Sequence, residues 1–377
     1  MRICVLARGI PDEKSPLNGI YEWGYARLLT ECGHNVSFLA VDIRTRRKKR
    51  QRGLTRFEKN GVNVFVYNLP LGRLKRNVAA LVRVFVAKKI IGIMKAEGTE
   101  PDLIWALFGR TLGKTAYGIK KEFGIPFCVT EYEGRLLFNR LNETQKNSLK
   151  KIYSEAAFLT APNIPFMNFL NKTFDAKFNY LPQAVTVDLS GKKPHSDFTF
   201  FCIGALDVNK GMDIVIRAFS KVAKVFPEAR LNIVGKGEEF FNLKEQAKSL
   251  RVEKNVKFIT NVNSETIRKQ IAEGDCFVSA SRWETFGAVF LEVMSYGVPC
   301  ISTDCFVPQS VVPDFAGIIV DVDDANALCI AMLEVIKFPE KFQADRIKKY
   351  IDDEFSVKAF GKRTEKFLSD IHATDII

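Results

Sequence analysis

The sequence predicts an α/β protein in two doubly wound halves, and three observations carry that prediction: the chain length, an alternation of short apolar runs with helical patterns, and one loss of periodicity near the middle. At 377 residues the chain exceeds the ~250 residues at which a single core stops growing, so two or three domains are expected. Arg2 to Ala7 reads as a buried strand, Ile20 to Cys32 as a helix closing on Gly33, and Val36 to Val41 as the next strand. That is a β-α-β unit, the signature of a parallel sheet. Val62 to Tyr67, Leu103 to Ala106, Phe127 to Thr130 and Phe158 to Ala161 continue the strands, with helical stretches between them. From Leu181 to Asp197 periodicity gives way to Pro, Gly and polar residues, which reads as a linker.

A second series then begins with the strand Phe198 to Ile203. It runs through helix Asp213 to Val225, strand Arg230 to Val234, helix Asn242 to Leu250 and strand Val256 to Ile259, then helix Ser264 to Ala272 and strand Cys276 to Ala280. An amphipathic helical stretch from about Lys341 to Ile371 closes the chain. Hydrophobic residues at 47% and charged residues at 26% exclude a disordered chain or a fibre. The eight cysteines form no C-x-x-C pair and sit mostly in apolar runs, and three histidines are too few for an imidazole cluster, so neither a disulfide frame nor a metal centre is expected. The N-terminal apolar run is too short for a signal-peptide core, and no window is long enough to span a bilayer. A reducing cytoplasm is the expected compartment.

The net charge of +13 conceals an asymmetry. Residues 1–200 carry 33 Lys/Arg against 17 Asp/Glu, whereas residues 201–377 carry 23 against 26. One half is therefore expected to face an anionic partner. The excess is concentrated in residues 44–95, with sixteen Lys/Arg and one acid, Glu58. There, the run Arg44 to Arg56 precedes a helical pattern, Lys75 to Met94, whose broad apolar face is interrupted by Arg83, Lys88 and Lys89. A solvated loop with an ordinary core helix is one reading; an anionic membrane surface is the other. Nucleic acid is disfavoured, since no stacking aromatics or helix-turn-helix pattern accompany the cations.

The stretch from Ser279 to Asp304, SASRWETFGAVFLEVMSYGVPCISTD, is the richest in chemistry. A strand ends near Ala280, a loop holds Arg282, Trp283 and Glu284, and a helix is expected from Phe286 to Gly297. A helix N-terminus thus lies at the carboxyl end of a parallel strand, where open α/β sheets bind ligands. The amides of Phe286, Gly287, Ala288 and Val289 suit a phosphate, and Glu292, about one and a half turns in, suits a sugar diol. In a second cluster, IGALDVNKGMD, Lys210 stands ahead of a helix as a point charge for a diphosphate.

With these residues in place, the sequence resembles the retaining glycosyltransferases of the GT-B fold, family 4. Glu284 and Glu292 match that family's E-x7-E spacing, followed by Gly297-Val298-Pro299 and Thr303-Asp304; Lys210 to Asp213 matches K-G-x-D and Ile233 to Gly237 matches I-V-G-x-G. Asn18 to His34 resembles the first donor-facing loop and helix, with Gly19 as a close-approach glycine. The resemblance covers essentially the whole chain and implies two Rossmann-like domains facing across a cleft, with a C-terminal helix crossing back to the first. It places an acceptor-binding domain at residues 1–183, a linker at 184–197, a nucleotide-sugar-binding domain at 198–350 and the returning helix at 351–377. Implied roles are the donor sugar for Glu284, the ribose for Glu292, the diphosphate for Lys210 and the 286–289 amides, and the acceptor side for Glu131 and Tyr132. Three positions depart from the family pattern: Ala205 replaces an arginine, Thr130-Glu131-Tyr132 replaces T-E-H, and Leu181 to Val185 replaces I-P-N-G-V.

The sequence-level expectation is therefore a metal-independent retaining transferase. It moves a sugar from a nucleoside-diphosphate sugar to a lipid-linked or membrane-proximal glycan acceptor, without a cofactor, at the inner face of the cytoplasmic membrane. The alternatives are a GT-B-fold nucleotide-sugar epimerase and a catalytically silent sugar- or nucleic-acid-binding protein. Asp321-Val322-Asp323 spells a metal-binding D-x-D, but its place between a strand and the helix Ala325 to Ile336 makes N-capping the expected job.

Overall fold

The structure, a computed structural model, describes residues 1–12, 15, 18–43, 52–71, 76–138, 141–187 and 197–374. The fold is GT-B, with two Rossmann-like α/β sheets in two compact units. Unit 1 comprises Met1–Pro182 with Phe360–Ile377, and unit 2 comprises Gln183–Ala359.

Unit 1 runs β1 (Arg2–Ala7), α1 (Ile20–Glu31), β2 (Asn35–Asp42), β3 (Gly53–Lys59), β4 (Val62–Asn68), α2 (Arg76–Ala96), β5 (Leu103–Leu107) and α3 (Lys114–Phe123). It continues with β6 (Phe127–Thr130), α4 (Glu143–Ser154), β7 (Phe158–Ala161), α5 (Ile164–Phe174) and β8 (Phe178–Tyr180). Among the described residues the sheet has the order β3-β4-β2-β1-β5-β6-β7-β8 and is parallel except for β3, which pairs antiparallel with β4. Strands β1, β5 and β6 are buried along their whole length apart from Arg2, as expected where helices cover both faces of a parallel sheet. Trp105, Phe38 and Phe127 fill this core, and the Trp105 indole N–H donates to the Thr130 hydroxyl at 2.9 Å.

Unit 2 runs β9 (Thr199–Ile203), α6 (Met212–Val225), β10 (Arg230–Val234), α7 (Phe240–Ser249), β11 (Val256–Ile259), α8 (Ser264–Glu273) and β12 (Cys276–Ser279). Then come α9 (Ala288–Ser295), β13 (Cys300–Thr303), β14 (Gly317–Val320), α10 (Ala325–Lys337), α11 (Ala344–Phe355) and α12 (Val357–Thr374). All the described strand pairs here are parallel, in the order β11-β10-β9-β12-β13-β14. The chain builds outward from β9 through β10 to β11, then returns to the other side of β9 with β12. The gap between β9 and β12 is thus the topological switch point, the place where such sheets bind ligands.

Four sequence expectations need correction. The charged stretch before Gly61 is not all loop: residues 44–51 lie outside the described residues, but Gly53–Lys59 forms edge strand β3, where Arg56 pairs with Glu97 at 2.8 Å. The last helical stretch is two helices, broken at Ser356, whose extended backbone ends α11 and whose hydroxyl accepts the Ala359 amide at 3.2 Å. From Phe360 onward α12 packs in unit 1, with Phe360 edge-on to Tyr25 and Phe367 stacked on Phe158. The helix expected from Phe286 starts at Ala288. Finally, α10 is capped by Asp324, which accepts from the Asn326 and Ala327 amides, whereas Asp323 turns to Arg282 at 2.9 Å. No helix among the described residues is long and apolar enough to cross a membrane.

Candidate active site

Loops from both sides of the unit 2 switch point build the site. The loop after β9 carries Lys210 and the loop after β12 carries Glu284, and the two side chains meet with Nζ 2.7 Å from Oε2. The Lys210 side chain is 26% and the Glu284 side chain 15% exposed, so the pair is shielded yet reachable. Gly211 lets the loops approach: its φ is 61°, and a Cβ there would lie 1.9 Å from the Ala280 carbonyl oxygen. Only glycine has both the left-handed freedom and the missing atom. Further hydrogen bonds join the loops, from the Asn209 side chain to the Trp283 carbonyl at 2.9 Å and from the Arg282 amide to the Asn209 carbonyl at 2.7 Å.

Arg282 is a residue that sequence reasoning assigned no role. Its guanidinium bonds Asp213 (3.3 Å), Asp323 (2.9 Å) and the Val208 carbonyl, and these carboxylates hold its pKa above the usual value. It is a strut under Lys210. The available signal was Asp213 itself, the fourth residue of K-G-M-D, which anchors that strut. Glu284 is fixed by its own loop, since its Oε1 accepts the Thr285 amide at 3.0 Å and its amide donates to the Cys305 carbonyl at 3.3 Å.

Gly287, at φ 66°, ends this loop and caps α9. A Cβ on it would stand 2.9 Å from Val307. The first turn of α9, including Ala288 and Val289, presents amides that have no acceptor within the helix, together with the positive end of the helix dipole. Phe286 lies in the loop before the helix. Glu292, one turn further on, edges a recess of about 490 Å³ shared with Arg268, Gln183 and Tyr296. Loss of water around its carboxyl raises its pKa, and the Arg268 charge opposes the rise. Ala205, in the loop after β9, is exposed.

Unit 1 presents a different arrangement at the carboxyl ends of its strands. Gly19, at φ 72°, fits against the Gly9 carbonyl, whose oxygen is 2.0 Å from where a Cβ would sit. Glu22 is fully buried and takes the Arg8 Nε at 2.7 Å, while the Arg8 guanidinium stacks 3.9 Å above the Phe108 ring. Phe108, at φ 67°, opens a π-helical turn, Phe108–Gly113, which leads into α3. Glu131 is fully buried and accepts from the Gly109 amide (2.9 Å), the Glu133 amide (2.8 Å) and the Tyr153 hydroxyl (2.7 Å). Burial raises its pKa despite these donors. Tyr132 is also buried, stacked on Tyr21, with its hydroxyl 3.3 Å from that of Tyr25. Both acceptor-side candidates, Glu131 and Tyr132, are thus buried within unit 1.

Among known proteins, solved structures share the fold. Over 99% of the chain the structure superposes on sucrose-phosphate synthase from Thermosynechococcus elongatus, covering all of that chain, with a TM-score of 0.74 at 16% identity. Residues 189–354 match the family model of glycosyl transferases group 1, a stretch that contains Lys210, Glu284, Gly287 and Glu292. Mannosylfructose-phosphate synthase of Agrobacterium fabrum is 38% identical over 109 residues, 27% of this chain and 24% of that protein. The GDP-mannose-dependent alpha-(1-6)-phosphatidylinositol monomannoside mannosyltransferase of Mycolicibacterium smegmatis is 27% identical over 178 residues, 45% of this chain and 47% of that protein. The matched stretches therefore span about a quarter to a half of these relatives' own length.

Proposed function

We propose that the chain is a retaining, metal-independent glycosyltransferase. It takes a sugar from a nucleoside-diphosphate sugar held by unit 2 and passes it to a lipid-linked or membrane-proximal glycan acceptor bound by unit 1. The observation that carries this reading is the Lys210–Glu284 contact at the switch point, in the same loop that ends on left-handed Gly287 and the first turn of α9. A leaving diphosphate accumulates charge as the glycosidic bond breaks, and a fixed ammonium with helix amides stabilises such charge without reorganisation. Glu284, freed from Lys210 as phosphate takes the ammonium, accepts hydroxyls of the donor sugar. Glu292 takes the ribose diol. On this reading the departing phosphate accepts the acceptor proton on the same face of the sugar, so no separate base is needed. The two positive elements complement the diphosphate charge in the role that a divalent cation fills elsewhere.

Support for the membrane-proximal acceptor comes from α2, which leaves Val78, Leu81 and Phe85 exposed at helical spacing, Phe85 by 71%, with Lys89 following on the same face. An apolar stripe beside cations in the most basic part of the sequence suits an anionic bilayer. On this reading the protein works in the cytoplasm, peripheral to the inner face of the membrane.

The test is a thermal-shift screen of nucleoside-diphosphate sugars, followed by transfer assays with the donor that binds. Wild-type protein should be stabilised by one nucleotide class, and Lys210→Ala should lose most of that stabilisation. Donor hydrolysis or epimerisation with no requirement for acceptor would overturn the transferase reading.

A further inference from the structure

A cavity of unit 1 lies at the amino ends of β6, β7 and β8, the opposite edge of the sheet from the ligand-binding end. It measures about 810 Å³, within the ~300–1,000 Å³ of ordinary small-molecule sites. Its floor is apolar and aromatic: Tyr153, Leu159 and Phe174 are buried there, and Phe158 stacks on Phe367 of α12 at 5.4 Å. Its rim is basic. Lys120, Lys150, Lys177 and Lys366 come from four separate segments, and among the described residues the lining contains one carboxylate, Asp175. Lys120 is engaged by Glu155, through the backbone carbonyl at 2.8 Å and the carboxylate at 3.1 Å, whereas Lys150, Lys177 and Lys366 stand exposed at the rim.

Helices and strands have no structural need to bring cations from the end of α3, from α4, from the turn before β8 and from α12 around one apolar hollow. Like charges in such a ring repel, and a ligand anion relieves that cost. We propose that this cavity binds a phosphate monoester with an apolar body, the phosphate on the lysine rim and the apolar part on the Phe158–Phe174–Phe367 floor. The site is independent of the donor loops in unit 2 and does not rest on the glycosyl-transfer reading. Tyr153 joins it to the interior, because the ring that floors the cavity carries the hydroxyl that donates to Glu131.

Calorimetric titration with octyl phosphate below its micellar concentration tests the proposal, with inorganic phosphate and octyl glucoside as single-feature controls. Octyl phosphate should bind more tightly than either control. The charge-reversed Lys150→Glu/Lys366→Glu variant, altered only at exposed positions, should weaken it by about tenfold or more with an unchanged melting curve. Equal binding of either control, equal binding by the variant, or no heat with octyl phosphate would each overturn it. Competition separates the two sources of such a ligand. Phosphatidic-acid vesicles that displace octyl phosphate make the occupant a membrane lipid; failure to displace it makes the occupant a soluble phosphate ester.

Discussion

Both units end their parallel strands in charged side chains, yet they use them in opposite ways. In unit 2, Lys210 and Glu284 face each other at 2.7 Å with part of each surface open to solvent, and the fixed scaffolding is left to Arg282, Asp213 and Asp323. In unit 1, Glu22 and Glu131 are fully buried and saturated by Arg8, two amides and a tyrosine hydroxyl. A carboxylate is open to a ligand only where its partner can be exchanged. A sealed carboxylate holds loops.

The largest expected effect tests the open pair. Glu284→Ala should lower transfer by roughly 10³-fold, about 4 kcal/mol of transition-state stabilisation, with little change in melting temperature. Full activity in that variant would erase the distinction between the two regions. Gly211→Ala comes next, because a methyl group 1.9 Å from the Ala280 carbonyl at positive φ forces the two loops apart. A stability loss of about 3 kcal/mol is expected in denaturant melts, with donor binding lost as well.

The sealed pair should respond asymmetrically. Arg8→Met leaves the Glu22 carboxylate buried without its partner and should cost about 2 kcal/mol, whereas Glu22→Gln leaves an arginine that still reaches water and should cost about 1 kcal/mol. Equal losses would show that Glu22 is not the sealed member. On α2, Leu81→Ser with Phe85→Ser should reduce co-sedimentation with anionic vesicles by roughly tenfold while stability stays within about 0.5 kcal/mol. Unchanged sedimentation would make that face an ordinary surface.

The smallest effect is a pH slope. Because burial raises the folded-state pKa of Glu131 above its unfolded value, ionisation is penalised in the folded state. Stability should therefore decline as the pH rises from the ordinary carboxylate range through the raised value, and be flat above it. Glu131→Gln should remove that decline, and parallel stability curves for variant and wild type would contradict the assignment.

Most of the scaffold was legible because it rests on local burial. β1, β6, β7, β10 and β11 fall where short runs dominated by apolar residues predicted them, since a strand in a parallel sheet buries most of its side chains under the covering helices. β3 was not legible, because an edge strand covered on one side carries Arg56, Glu58 and Lys59 and reads as solvated loop. The three-residue β8 and the π-helical turn at Phe108 leave no periodic trace. At the site, Lys210, Glu284 and Gly287 could be named from short motifs, but their partners could not. The 2.7 Å contact joins residues 74 apart in sequence, and the Arg282 strut reaches Asp213 in the first turn of α6 and Asp323 in the loop before α10. Glu131 shows the converse: nothing in Thr130-Glu131-Tyr132 announces a carboxylate at zero exposure, because burial is decided by Gly109 and Tyr153, more than twenty residues away on either side.

The antiparallel strand β3 also bears on how the protein behaves in a crowded solution. Among the described residues it is the last strand on its side of the unit 1 sheet, and its second half, Arg56 to Lys59, is exposed. A bare parallel edge there would be a template for a second molecule to add its own strand. Cations and an acid along the outermost strand oppose such edge-to-edge pairing through the desolvation it would require. The same few residues that hid β3 from sequence analysis thus keep a large open sheet from recruiting its own copies.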